Sequence, residues 1–231
     1  MKKTIGTVIG VGLLLLLGCA APTPTPSPTP TSIPPTATPT PAPSPTPTPL
    51  PPPKVLAIVA EAGRDMDLML TNELGVMISM LEEAGFEVVV ASSSGRPVVG
   101  DTTTVESDLK LADMKVADYV GFILPCMDAF SYAAMPPEAE EIVREAVAEG
   151  KPVAAQCDSV VFLDRAGALI GKKYAFEHDR FSEGIYSGTG VVQDGNIITS
   201  GTCPYMARMK GLPDGTAELT QKLIDSLAHL L

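Results

Sequence analysis

Cys157 stands between an apolar run, Pro152 to Gln156, and a polar pair, Asp158 and Ser159, that opens a helical pattern. A nucleophile on so tight a strand-to-helix turn needs small residues two positions to either side, and Ala155 and Ser159 meet that need. A helix start favours negative charge, so the reading predicts a Cys157 thiol lowered from its usual value of about 8.5 and able to attack. Cys126 and Cys203 also follow directly on apolar runs, as candidate redox partners or as small buried hydrophobes. Only His178 and His229 exist; His229 reads as a solvated surface residue, while His178 is a candidate general base or an ordinary loop histidine. The cysteines show no C-x-x-C spacing, and no glycine-rich phosphate loop follows the first strand. Neither a metal nor a nucleotide cofactor is therefore expected.

The elements that must position these residues follow from periodicity. Val55 to Ala60 is a continuous apolar run, as expected for a strand covered on both faces. Leu70, Leu74, Met77, Ile78 and Leu81 recur at helical spacing up to Gly85. Glu87 to Ala91, Tyr119 to Leu124 and Pro152 to Gln156 read as further strands. Pro137 to Ala148 and Ser159 to Leu169 read as helices. Ser92 to Lys115 is mixed, a short strand pair plus a loop. Val191 to Thr199 around Asp194-Gly195 is a hairpin, and Leu219 to Leu230 a closing helix. Apolar strands alternating with helices imply an α/β fold, a three-layer sandwich around a mostly parallel sheet. Ligands in such folds sit at the carboxyl ends of the strands, where all three of these cysteines fall.

The first 53 residues differ in kind. Lys2 and Lys3 precede an apolar run from Ile5 to Leu17, shorter than the roughly 20 residues that span a bilayer, so a secretion signal is expected. Leu16-Leu17-Gly18-Cys19 resembles the bacterial lipobox, which implies lipidation of Cys19, a signal peptide over 1–19 and an exported domain anchored to a bacterial membrane. Residues 22–53 hold 16 of the chain's 23 prolines, mostly alternating with Thr or Ser. Proline fixes φ and lacks an N–H, so 20–53 is expected to be an extended, disordered linker reaching at most ~100 Å. The remaining segment, 54–231, carries 14 basic and 27 acidic residues, a net charge of −13. Such a domain repels nucleic acid and anionic headgroups, so its contact with the membrane is expected through the lipid alone. Outside the cytoplasm Cys126, Cys157 and Cys203 allow three different single disulfides, each leaving one thiol free.

Across 54–231 the chain resembles the ThiJ/PfpI proteins, which share the class I glutamine-amidotransferase-like, flavodoxin-like fold. The resemblance is carried by Lys54-Val55-Leu56, the elbow Val153-Ala154-Ala155-Gln156-Cys157, Ala166-Gly167-Ala168-Leu169, Gly171-Lys172-Lys173 and Asp194-Gly195-Asn196-Ile197-Ile198-Thr199-Ser200. It implies an acidic side chain after the first strand that hydrogen-bonds the elbow cysteine; the matching position is Asp67, where relatives usually carry Glu. Protonated, Asp67 would donate to the sulfur; the other reading is a helix N-cap or first-turn acid. Many relatives place His after the cysteine, whereas this chain has Asp158, and Gly where it has Ser159. The strand ending at Pro125 is commonly followed by Gly-Gly in relatives, with a backbone amide in an oxyanion site; here Cys126 and Met127 stand there. Glu177 matches the register of a second family histidine better than His178 does.

These features imply two functions. One is a cysteine-nucleophile hydrolase or lyase, acting on small carbonyl or amide compounds or peptides as peptidase-like, glyoxalase-like or deglycase-like relatives do. In it Cys157 attacks, Asp67 poises it, Asp158 or His178 assists, and amides of Met127, Cys157 and Asp158 hold the oxyanion. The other is a non-catalytic ligand-binding or redox-sensing module. Relatives commonly dimerise, which makes a homodimer the candidate assembly.

Overall fold

Five residues of unbroken apolar character, Lys54–Ile58, form β1, and parallel neighbours on both sides explain why no polar alternation is needed. The computed structural model describes residues 50–126 and 136–231, together with Thr23 and Ser27. The signal, Cys19, almost all of the linker and Met127 lie outside the described residues.

Among the described residues, seven strands make the main sheet, in the order β10-β11-β7-β6-β1-β2-β5. Besides β1 these are β2 (Glu87–Ser92), β5 (Leu109–Lys110), β6 (Gly121–Leu124), β7 (Val153–Gln156), β10 (Val191–Asp194) and β11 (Ile197–Ser200). All pairings are parallel except the β10–β11 hairpin, where Gly195 takes the left-handed φ of 65° that its two-residue turn requires. β3 (Val98–Val99) pairs antiparallel with β4 (Thr104–Val105), the short strand pair expected between 92 and 115. A second small pair, β8 (Lys173–Tyr174) with β9 (Ile185–Tyr186), has no signal in the sequence beyond its length of two residues per strand.

Alternation along each strand splits the core in two. Leu56, Ile58, Phe122, Leu124, Val153 and Ala155 face α3 (Glu138–Ala148) and α4 (Val160–Arg165). Val55, Ala57, Ile123, Ala154 and Ile198 face the helix over 66–83 and α6 (Thr216–Leu227). Each fully buried Leu, Ile or Phe contributes about 1.5–3 kcal/mol, so the two apolar layers hold the sheet between its helices. The helix over 66–83 is not uniform: α1 (Met66–Leu68) and α2 (Gly75–Glu83) flank a π-helical turn, Met69–Leu74. Ser159 to Leu169 is likewise shorter in helix than its periodicity suggests, a 3-10 turn over Cys157–Ser159 followed by α4. Gly167, at φ 74°, ends it.

Candidate functional site

The order of three neighbouring strands builds the site. β11, β7 and β6 lie side by side, and at their carboxyl ends stand Cys203, Cys157 and Cys126. The three Sγ atoms all lie within 4.8 Å of one another, and all three cysteines are buried free thiols. Cys157 has φ 47°, the one non-glycine residue with positive φ among the described residues. That conformation costs roughly 1–3 kcal/mol and turns the strand sharply enough to present the sulfur at the sheet's end.

The residues flanking the elbow offset this strain. Ser159 Oγ donates to Leu124 O (2.8 Å) and accepts from Gln156 N (2.9 Å), tying the end of β6 to the end of β7. Gln156 Nε2 donates to Thr202 O (2.6 Å) and Thr216 Oγ1 (3.0 Å), tying β7 to the loop before Cys203. Ser159, which stands where relatives carry glycine, thus fixes Cys126 against Cys157, and Gln156 does the same for Cys203.

The three sulfurs differ electrostatically. Cys203 caps α5 (Pro204–Lys210), and its thiol is pulled far below the ordinary range by hydrogen bonds from Cys126 and Cys157, then by the amides of Met206 and Tyr205. Cys157 is pushed well up, first by burial, then by its hydrogen bonds to Cys126 and Cys203. Cys126 ends above its usual value too: the Cys157 thiol lowers it, but Cys203, burial and Glu73 together outweigh that. Of the three thiols, Cys203 is the one drawn towards the thiolate. The helix start expected to lower Cys157 is a short 3-10 turn, and the amides that stabilise a thiolate belong to α5 instead.

Asp67 does not reach the elbow. Its carboxylate accepts from Thr102 N (3.0 Å), Thr102 Oγ1 (2.9 Å) and Thr103 N (2.8 Å), clasping the loop between β3 and β4 at the surface. The Thr102 amide above all holds its carboxyl below the usual range, so it is an ionised acceptor in the first turn of α1 and not a proton donor to sulfur. The side chain at the cysteines is Glu73, fully buried in the π-helical turn. Glu73 Oε1 accepts from Cys126 N (2.8 Å), while Oε2 has no partner. Burial foremost, then Cys203, raises its carboxyl well above the usual range, which favours the protonated form. Its spacing was legible: Glu73 lies three residues after Leu70 and four before Met77, on the apolar stripe itself.

His178 also lies elsewhere. It is exposed, packs edge-on against Phe176 at 5.5 Å and pairs with Glu177. Glu177 takes the place beside the site, lining a cavity of about 40 Å³ with Met69, Asp158, Phe176, Tyr205 and the cysteines. Asp158 is on that wall as expected, in the first turn where helix amides lie beyond the reach of the helix's own carbonyls. Two ion pairs from α5 bracket the mouth, Arg208 with Asp65 (2.6 Å) and Lys210 with Glu177 (3.0 Å).

The elbow cysteine thus stands at the end of a parallel sheet beside two further thiols, with a buried acid bonded to the Cys126 amide. Residues 53–210 match the model of the DJ-1/PfpI family. An uncharacterized protein of Methanocaldococcus jannaschii is 34% identical over 171 residues, 69% of this chain and 79% of its own length. Deglycase PfpI of Pyrococcus furiosus is 29% identical over 153 residues, 64% of this chain and 89% of the relative. A ThiJ/PfpI domain protein of Brachyspira murdochii superposes with a TM-score of 0.60 at 15% identity, covering 77% of this chain and 98% of that one. With more than half its length matched and the elbow in place, the chain belongs to the DJ-1/PfpI family.

Proposed function

We propose that this protein is a thiol-dependent enzyme of the deglycase kind, removing small carbonyl adducts from amines, and that it works tethered outside the cell membrane through Cys19. The observation that carries the reading is Cys157 at φ 47° with two further thiols within 4.8 Å. Relatives named deglycases, at 29% identity, support the substrate class.

Among the described residues no histidine lines the cavity, so the proton that the amine needs is taken to come from the Cys157 thiol. Cys157 donates its S–H towards Cys203, whose thiolate is held by the first amides of α5. As the Cys157 sulfur bonds to the carbinol carbon that carries the amine, the C–N electron pair moves to nitrogen and the thiol proton passes to the departing amine. The amides of Cys157 and Asp158 are assigned to hold the oxygen of the adduct as its charge grows. The hemithioacetal left on Cys157 then collapses: the C–S pair returns to sulfur, the hydroxyl proton goes with it, and the carbonyl compound leaves.

Purified protein incubated with a methylglyoxal-modified amine is expected to release the free amine, with turnover abolished in Cys157→Ser. No turnover by the wild type over the Cys157→Ser background would overturn the enzymatic reading. In that event the three converging thiols favour a redox module, recognised by a disulfide between Cys157 and Cys126 or Cys203 after mild peroxide. For the tether, labelled palmitate is expected on the wild type and absent from Cys19→Ser.

A further inference from the structure

Sequence spacing holds no metal motif, yet the fold assembles a donor set from cysteines far apart in the chain. Cys126, Cys157 and Cys203 approach from the ends of three adjacent strands, and their sulfurs lie within 4.8 Å of one another. An ion with metal–sulfur bonds of about 2.3 Å in a trigonal plane holds its three sulfurs ~4 Å apart, close to what is already present. Met69 and Met206 pack against the same sulfurs, so the surroundings are soft and polarisable. Among the described residues, no imidazole or carboxylate joins the group at that range. The ties from Ser159 and Gln156 hold the triad in place, and the adjoining cavity has room for an ion and little more.

Thiolate and thioether donors select soft cations, and three sulfurs without nitrogen or oxygen suit a d10 monovalent ion better than zinc with its preferred fourth ligand. We propose that Cys126, Cys157 and Cys203 bind one soft monovalent cation of the Cu(I) class in trigonal all-sulfur coordination. Binding releases thiol protons to solvent and occupies the Cys157 sulfur, so the metal-loaded and nucleophilic states exclude each other. The inference rests on the triad alone and does not depend on turnover of any carbonyl substrate.

The test uses the full chain in a Cys19→Ser background, reduced and free of oxygen, titrated with Cu(I) against a chromophoric Cu(I) chelator. One Cu(I) per chain is expected, with three sulfur neighbours and no nitrogen shell in X-ray absorption. Stoichiometric Cu(I) should also block iodoacetamide at Cys157. Cys126→Ser and Cys203→Ser are each expected to weaken binding about tenfold or more while melting with the parent. A sulfur count of two or fewer, unchanged affinity in either variant, or Zn(II) displacing Cu(I) at equal concentration would overturn the proposal. Where a serine variant melts early, the sulfur count of the parent decides.

Discussion

Asp67 and Glu73 leave the same helical stretch six residues apart and meet opposite surroundings. Asp67 stands at the surface, takes amide and hydroxyl hydrogen bonds from Thr102 and Thr103, and stays ionised. Glu73 is buried at the cysteine cluster, takes one amide bond from Cys126, and has its carboxyl raised by burial. The residue types are nearly the same, so the environment sets the role. A carboxylate rich in donors becomes a surface clasp, and one starved of them is pushed towards its neutral form beside Cys126.

The largest effect that would break this contrast concerns the thiolate. Cys203→Ala removes the sulfur drawn towards the thiolate, and alkylation of Cys157 at neutral pH is expected to slow by about tenfold or more. An unchanged rate, read by mass spectrometry of the modified peptide, would place the charge elsewhere. Next comes Ser159→Ala, which leaves Leu124 O and Gln156 N without their partner; a loss of about 1–3 kcal/mol in urea unfolding is expected, with Cys126 displaced from Cys157.

Glu73→Gln sharpens the contrast by pH. The folded pKa of Glu73 lies above its unfolded value of about 4.3, so the folded state binds the extra proton and stability falls as pH rises through that window. Glutamine keeps an acceptor for Cys126 N and carries no titrating proton, so the decline above about pH 4.3 should flatten. A slope identical to the wild type would mean that Glu73 ionises normally. Asp67 carries the opposite sign: its lowered pKa stabilises above the unfolded value and is lost as pH falls through the folded one. The smallest effect is therefore Asp67→Ala, which should speed hydrogen exchange at the Thr102 and Thr103 amides and leave Cys157 alkylation untouched.

That last expectation reverses what resemblance alone implied, and the reason is physical. Strand runs such as Val55 to Ala60 and the alternation with helices are local signals, so the α/β sandwich and the elbow were legible residue by residue. The π-helical turn was not. It adds a residue to one turn of helix, and it is within this turn that Glu73 is buried at the cysteines. His178 failed for a related reason: a one-residue register in a loop between two-residue strands has no periodicity to fix it. The convergence of the three cysteines was readable only as a common position after strands. Their adjacency required the strand order.

The strand order also acts as a ruler. Neighbouring strands in any sheet run about 4.8 Å apart, a pitch set by backbone hydrogen bonds and indifferent to side chains. Cys126 and Cys203 follow the two strands that flank β7, so the pitch alone would set them about two strand spacings apart, and it is the residues just past the strand ends, tied by Ser159 and Gln156, that draw the sulfurs together. The three placements transplanted onto an unrelated parallel sheet should therefore give a sulfur triad only where those ties are carried over with them.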